Sequence, residues 1–481
     1  MIADMSNKTW EKLFPATAPP SRKVLRIVVA LSVVVGFFLF SHRLRNRYDD
    51  WTSSAPQDVP PERMCGVDVK LLGRYGLSGS VHYVRREIIA RHTDKPLPMS
   101  TRLDIPLLDT HSVNLSHPAT DQESVNNNCS EPIYVEVPIP PAPVDASHID
   151  FAIATTADRL LVALDAFAHW ASDSNARIFA LIEPHQDTKK IKRKASALGI
   201  DLSIFESDAE YNSRYSSLVK LLADNLREET KWCCIMDDDT FFPSLPRLVE
   251  MLAQYDETKP YYIGGLSESD KQVAIFGIIA YGGAGMFFSR PLMEQLRDVW
   301  DDCKASMEHG DGKIAHCIYQ YTTTKLTIDP GLRQLDLMGD ASGFFEAARP
   351  VPVSVHHWRS WFNADMVKLS AVTLVCGTSC LLRQWRFSDG WILTNGYSVI
   401  RYSTEIPDND ISMEKTWDDM NGATDESWLY TLGPLRPKDP KKFSYRLEDV
   451  VIEDGQIRQF YIHRSGLLEG DRVLELAWRM E

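Results

Sequence analysis

From Ile149 onward the chain alternates short apolar runs with amphipathic ones. IDFAIATTADR reads as a buried strand ending in small polar residues, and RLLVALDAFAHWAS then places apolar residues at helical spacing. ARIFALIE is a second buried strand, TKKIKRKASALGI a helix with a basic, solvated outer face, and DLSIFES a third strand. YSSLVKLLADNLREE is another amphipathic helix, and it leads into the apolar run KWCCIM. This alternation predicts an α/β domain over 149–362 with a mostly parallel sheet covered on both faces. In such sheets ligands gather at the carboxyl ends of the strands.

The texture changes on either side. Beyond Val367, the segments AVTLVCG, GWILTN, GYSVIRYS, KFSYRLEDVVIE, QIRQFYIHRS and RVLELAWRM read as strands, with turn signals at Asp389-Gly390 and Asn395-Gly396. They predict a smaller β-rich module over 363–481. Residues 41–148 read as a stem: DQESVNNNCSEP and the proline-rich VPIPPAPVD lack sustained periodicity, although VDVKLLGRYG and HYVRREIIARH are candidates to pack on the body.

VLRIVVALSVVVGFFLF, residues 24–40, is apolar on all sides but for Arg26 near its edge, and it predicts a membrane anchor behind a tail over 1–23. No small-x-small cleavage site follows Phe40 to support a removed signal peptide. The formal net charge of −14 is uneven, with +6 over residues 1–47 and −20 on the rest. Such a body repels polyanions, which argues against a nucleic-acid partner. All eight cysteines (Cys65, Cys129, Cys233, Cys234, Cys303, Cys317, Cys376 and Cys380) follow the apolar segment, as do the sequons at Asn114 and Asn128. Both features suit an oxidising lumen and a single-pass type II topology, with the body luminal in the Golgi or endoplasmic reticulum.

KWCCIMDDDTFFP raises a chemical question, because three consecutive carboxylates at a buried strand end repel one another. A divalent cation bound to a diphosphate relieves that repulsion, since Mg²⁺ and Mn²⁺ take oxygen ligands from one or two carboxylates plus phosphates. Asp239 is the first choice for coordination. Asp237 suits the ribose, the metal or a metal-bound water, and Asp238 is the least defined. The structural alternative is an acidic turn capping TFFPSLPRLVEML. Further on, FGIIAYGGAGMFFSRP predicts a buried strand running into Gly282-Gly283-Ala284-Gly285, then a helix opened by Ser289 and Pro291. Small residues at 283–285 let backbone approach a donor, and a tight turn is the plainer explanation.

WCCIMDDDTFF, YYIGG and YGGAGMFFSR together resemble the fringe-like and core-1 galactosyltransferase-like glycosyltransferases, nearest to an uncharacterised fringe-related branch of fungi and plants. The likeness covers about residues 149–360. It implies a GT-A fold, a UDP-sugar donor, Mn²⁺ (or Mg²⁺) and inversion at the anomeric carbon. It also implies donor or metal roles for Asp237, Asp238 and Asp239, and for Gly283, Ala284 and Gly285. In CKASMEHGDGKIAHC it implies a catalytic base at Asp311 and a Cys303–Cys317 disulfide. This chain has His309-Gly310-Asp311 where relatives often have two adjacent acids, which leaves Glu308 as a weaker candidate. In VPVSVHHWRSW the resemblance places a metal-binding histidine at His356, with His357 facing substrate or packing. Thr155 and Arg159, after the first strand, are candidate nucleotide contacts, and Trp358 is either an acceptor platform or core. GLRQLDLMGDASGFF also resembles the fungal and plant branch, with no chemistry assigned.

The combined reading is a transferase moving a hexose or N-acetylhexosamine from a UDP-sugar to a glycan or glycoprotein acceptor. A luminal carbohydrate-binding or chaperone-like protein on the same scaffold is the alternative, since a fold does not establish an activity.

Overall fold

The computed structural model describes residues 67–77, 80–108, 113–115, 130–185, 187–303, 309–453, 455–465 and 470–481. The expected tail and membrane anchor (1–40), Cys65, Asn128, Cys129 and Glu308 lie outside these residues. Asn114 lies in the short strand Val113–Leu115. Among the described residues no helix is long and apolar enough to cross a membrane. The described residues from Val67 onward form one compact unit built on two large sheets.

The first sheet has seven strands in the order Leu326–Ile328, Tyr262–Gly264, Met286–Ser289, Trp232–Met236, Ile149–Thr155, Arg177–Ile182 and Asp201–Glu206. The last four strands in that order are parallel, as the βα alternation predicts. Met286–Ser289, however, runs antiparallel to both its neighbours, so the sheet is mixed by one reversed strand while the other six run parallel, as expected. Helices Ala157–Ala171 and Leu218–Asp224 bury apolar stripes against this sheet. The Thr156 hydroxyl caps the first by accepting the Arg159 N–H. The expected strand through FGIIAY is absent. Asp270–Phe276 is helical and ends at Gly277 with φ of 96°, and Ile278 beyond it is exposed. An apolar run alone does not distinguish a buried strand from a helix that leaves one face in solvent.

The second sheet has ten strands and draws on both ends of the described chain. Val81–Thr93 pairs in parallel with Arg472–Met480 and with Ile133–Pro138, and Ser100–Leu103 pairs in parallel with Gln384–Phe387. Residues 81–138, which read as stem, thus supply four strands beside those expected from the C-terminal segment. Val81–Thr93 and Ser100–Leu103 have partners far away in sequence, so local periodicity carried little sign of that pairing. AVTLVCG is the other departure. Asp365 accepts the N–H groups of Val367 and Lys368 to open the helix Met366–Ser370, and Thr373–Cys376 is helical too. Leu369, Val372 and Cys376 are buried at helical spacing.

Candidate active site

The aspartates stand at the carboxyl end of Trp232–Met236, in the middle of the seven-stranded sheet. The chain then turns, and the Thr240 hydroxyl accepts the Asp237 N–H at 3.0 Å while donating to the Gly283 carbonyl at 2.8 Å. Phe241 and Val355 exchange two backbone hydrogen bonds of 2.8 Å each. That bridge brings His356 beside the aspartates from over a hundred residues away. Asp237, Asp239, Gly283 and His356 therefore meet because three segments are stitched by backbone and one hydroxyl.

His356 is buried, and its two ring nitrogens have separate tasks. Nδ1 lies 3.2 Å from the Gln334 carbonyl, which can only accept, so Nδ1 carries a proton. Nε2 faces Asp239 Oδ1 at 3.0 Å and Asp237 Oδ2 at 3.2 Å. Burial pushes the imidazole pKa down, but the two carboxylates outweigh it and raise it to about 10. The reciprocal effect on Asp239 has burial pushing up and the His356 charge and hydrogen bond pulling the carboxyl well below the usual range. A proton on Nε2 therefore stands where a cation would go. The donor set of two carboxylates and an imidazole, with the second nitrogen held by a carbonyl, fits a divalent transition-type ion. Asp239, His356 and His357 also present ligand atoms within 4.8 Å of one another. His357 is otherwise engaged. Its Nε2 lies 3.1 Å from Asp336 Oδ1, its Nδ1 lies 2.9 Å from Ser360 Oγ, and its ring stacks on Trp361. Ser360 Oγ in turn donates to Asp239 Oδ2 at 2.9 Å, which fixes that carboxylate from behind.

Asp238 points elsewhere. It is buried and held by Arg159, whose Nε donates at 2.7 Å and whose terminal nitrogen bonds the other oxygen, and Thr155 Oγ1 also donates to it. Thr155 and Arg159, expected as nucleotide contacts, are thus joined to the middle aspartate, and the Arg159 side chain remains 61% exposed. The small residues of the loop make room for protein groups. A Cβ on Gly283 would stand 2.0–2.3 Å from three His356 ring atoms. The Ala284 peptide is gripped on both sides, its N–H by Gln334 Oε1 at 3.0 Å and its carbonyl by Ser354 Oγ at 2.6 Å. Gly285 has φ of 90°, a left-handed conformation suited to glycine.

Asp311 opens the helix Gly310–Tyr321. It accepts the Gly312 N–H at 2.8 Å and the Gly282 N–H at 3.4 Å. Burial raises its pKa, these two donors lower it, and the Asp237 charge raises it further. The Cys303–Cys317 disulfide is present and ties the same helix to the segment before it, and a second disulfide joins Cys376 to Cys380. Cys233 and Cys234 are free and buried. Trp358 is 4% exposed and belongs to the core, which leaves it no face for a sugar. Sequence reasoning missed Gln334, Asp336 and Ser360. The signal was the polar pair within GLRQLD, which stands among apolar residues and was given no role.

Residues 272–375 match the family model described as "Protein of unknown function, DUF604". Two curated relatives are a β-1,3-glucosyltransferase of Mus musculus and one of Homo sapiens. The mouse protein is 24% identical over 253 residues, which is 51% of this chain and 47% of the relative. The human protein is 26% identical over 171 residues, which is 35% of this chain and 32% of the relative. The chain thus spans at most about half the length of these relatives. Among solved structures, the apo-form glycosyltransferase GlyE of Streptococcus pneumoniae TIGR4 superposes with a TM-score of 0.30 at 13% identity, covering 46% of this chain and 58% of that one. The galactosyltransferase LgtC superposes at 0.28 and 11%, covering 40% and 77%. Superpositions this weak carry no functional argument. The sequence relatives support a glycosyltransferase-like family without singling out the fringe-like branch.

Proposed function

We propose that this protein is a metal-dependent inverting glycosyltransferase with a GT-A domain, a UDP-sugar donor and a glycan or glycoprotein acceptor. The observation that carries the reading is the convergence of Asp237 and Asp239 on Nε2 of a histidine whose Nδ1 is already committed to a carbonyl. Asp239, His356 and Asp237 would hold Mn²⁺ or Mg²⁺, which supplies a Lewis acid for the charge that develops on departing UDP. Arg159, its charge only partly screened by Asp238, is available at the rim for phosphate or ribose. Asp311 accepts the proton of the acceptor hydroxyl as that oxygen attacks the anomeric carbon. Burial beside Asp237 makes its carboxylate a stronger base than a solvated aspartate. The type II anchor and the luminal Golgi or endoplasmic-reticulum setting belong to the same proposal, on the strength of residues 24–40, the cysteines and the sequons.

The test is a screen of UDP-hexoses and UDP-N-acetylhexosamines for metal-dependent release of UDP, with Asp311→Asn alongside. Slow hydrolysis of one donor, lost in the variant while UDP binding is kept, is the expected result. Binding of UDP without turnover of any donor on any acceptor would favour a non-catalytic carbohydrate-binding protein.

A further inference from the structure

The ring of Tyr215 lies between the helix that carries Asp311 and the glycine loop. A Cβ on Gly310 would stand 2.5 Å from Tyr215 Cδ1 and 2.9 Å from its Cβ, and a Cβ on Gly282 would stand 1.9 Å from its hydroxyl oxygen. Two glycines from separate segments are thus notched to seat one aromatic ring. The residue is 4% exposed, and its hydroxyl is buried with no hydrogen-bond partner among the described residues. Burial raises the phenol's pKa far above its ordinary value, and Asp237 and Asp311 add to this from either side. The short helix that presents it, Tyr211–Ser216, is anchored around the ring. Glu210 accepts the N–H groups of Asn212 and Ser213, and the buried Arg214 donates to Glu183 and to the Ala209 carbonyl.

We propose that Tyr215 is the positioning residue for the general base. Seated in the two notches, it fixes where the helix Gly310–Tyr321 begins relative to the loop whose Gly282 N–H binds Asp311, and so sets the gap between the base and Asp237. This rests on the transferase reading. It also accounts for the glycine in His309-Gly310-Asp311, because any side chain at 310 strikes the ring. A misplacement of about 1 Å at a reacting group costs about 100-fold in rate. That separates this role from packing alone, which affects stability and leaves the turnover of the folded protein intact.

The experiment uses the purified full chain with Mn²⁺, UDP and the UDP-sugar it hydrolyses fastest. Gly310→Ala is expected to lower kcat by about 100-fold while the Kd for UDP with Mn²⁺ stays within about threefold. Tyr215→Leu, which removes the ring while keeping Cβ and Cγ, is expected to lower kcat by at least about tenfold with the Kd for UDP retained. If Gly310→Ala does not fold, Tyr215→Leu alone decides. Reduced kcat with retained UDP affinity supports the proposal, and unchanged kcat overturns it. Unaltered kcat in a folded Gly310→Ala overturns it as well. A wild-type chain with no UDP-sugar turnover would instead remove the transferase reading beneath it.

Discussion

The two sheets of this molecule differ in how they are assembled. The seven-stranded sheet is made from one stretch of chain, 149–328, with strand, helix and neighbouring strand in succession from Ile149 to Glu206. The ten-stranded sheet is closed by pairing Val81–Thr93 with Arg472–Met480, almost four hundred residues later. One cluster of its buried charges lies at that junction. Glu475 receives Arg458 Nε at 2.7 Å, Arg85 at 3.3 Å and the Tyr83 hydroxyl, so one carboxylate links three strands from both ends of the chain. The first sheet places the candidate site at its strand ends, and the second joins strands from early and late in the described chain. The two roles make separable predictions.

The largest effect is expected at that junction. Glu475→Ala leaves the buried Tyr83 hydroxyl without its acceptor and Arg458 with Glu453 alone, and breaking such a group costs about 3–5 kcal/mol. Chemical denaturation should show that loss, while the folded fraction binds UDP as before. A weakened UDP affinity in folded protein would mean that the two sheets are not separable in function. Asp311→Asn is expected to do the reverse. Its kcat should fall about 10³-fold, within the range for a lost general base, with unfolding unchanged or slightly improved by removal of a buried charge. Full activity in a folded Asp311→Asn variant would take the base assignment away.

A smaller, pH-dependent effect is expected at Glu268, which is 1% exposed behind Asp336. Burial pushes its carboxyl up to about 7 from 4.5, with Arg333 opposing and Asp336 adding. The folded pKa is the higher one, so the unfolded chain gives up this proton first and stability falls as pH rises. The cost is absent below pH 4.5, grows between 4.5 and 7, and is complete above 7 at about 3 kcal/mol. Glu268→Gln should therefore gain stability over wild type between pH 5 and 8 in urea unfolding. A gain that does not change with pH would show that Glu268 does not titrate in this window.

What was legible follows the same division. The βα alternation after Ile149 and the aspartates at a strand end could be read because each signal is local in the chain, whereas Asp311 at a helix start and the disulfide beside it came with the family resemblance. The pairing of Val81–Thr93 and Ser100–Leu103 with C-terminal strands could not, since parallel partners hundreds of residues apart leave no local period. In the site, the types of the candidate ligand residues were readable and their supports were not. Nothing in GLRQLD announces that the Gln334 carbonyl sets the His356 tautomer or that its side chain grips the Ala284 peptide. Likewise Gly283 reads as a surface for a ligand, whereas the ring it admits is His356. Such roles come from tertiary approach, which one sequence does not display.

The measurement that bears most directly on the account is a calorimetric titration of UDP into the protein with and without Mn²⁺, beside Asp239→Ala and His356→Ala. Binding that requires Mn²⁺ and is lost in both variants, while both remain folded, is the predicted result. Equal UDP binding with and without the metal, or unchanged binding in both variants, would contradict the assignment of Asp239 and His356 to a donor-linked cation.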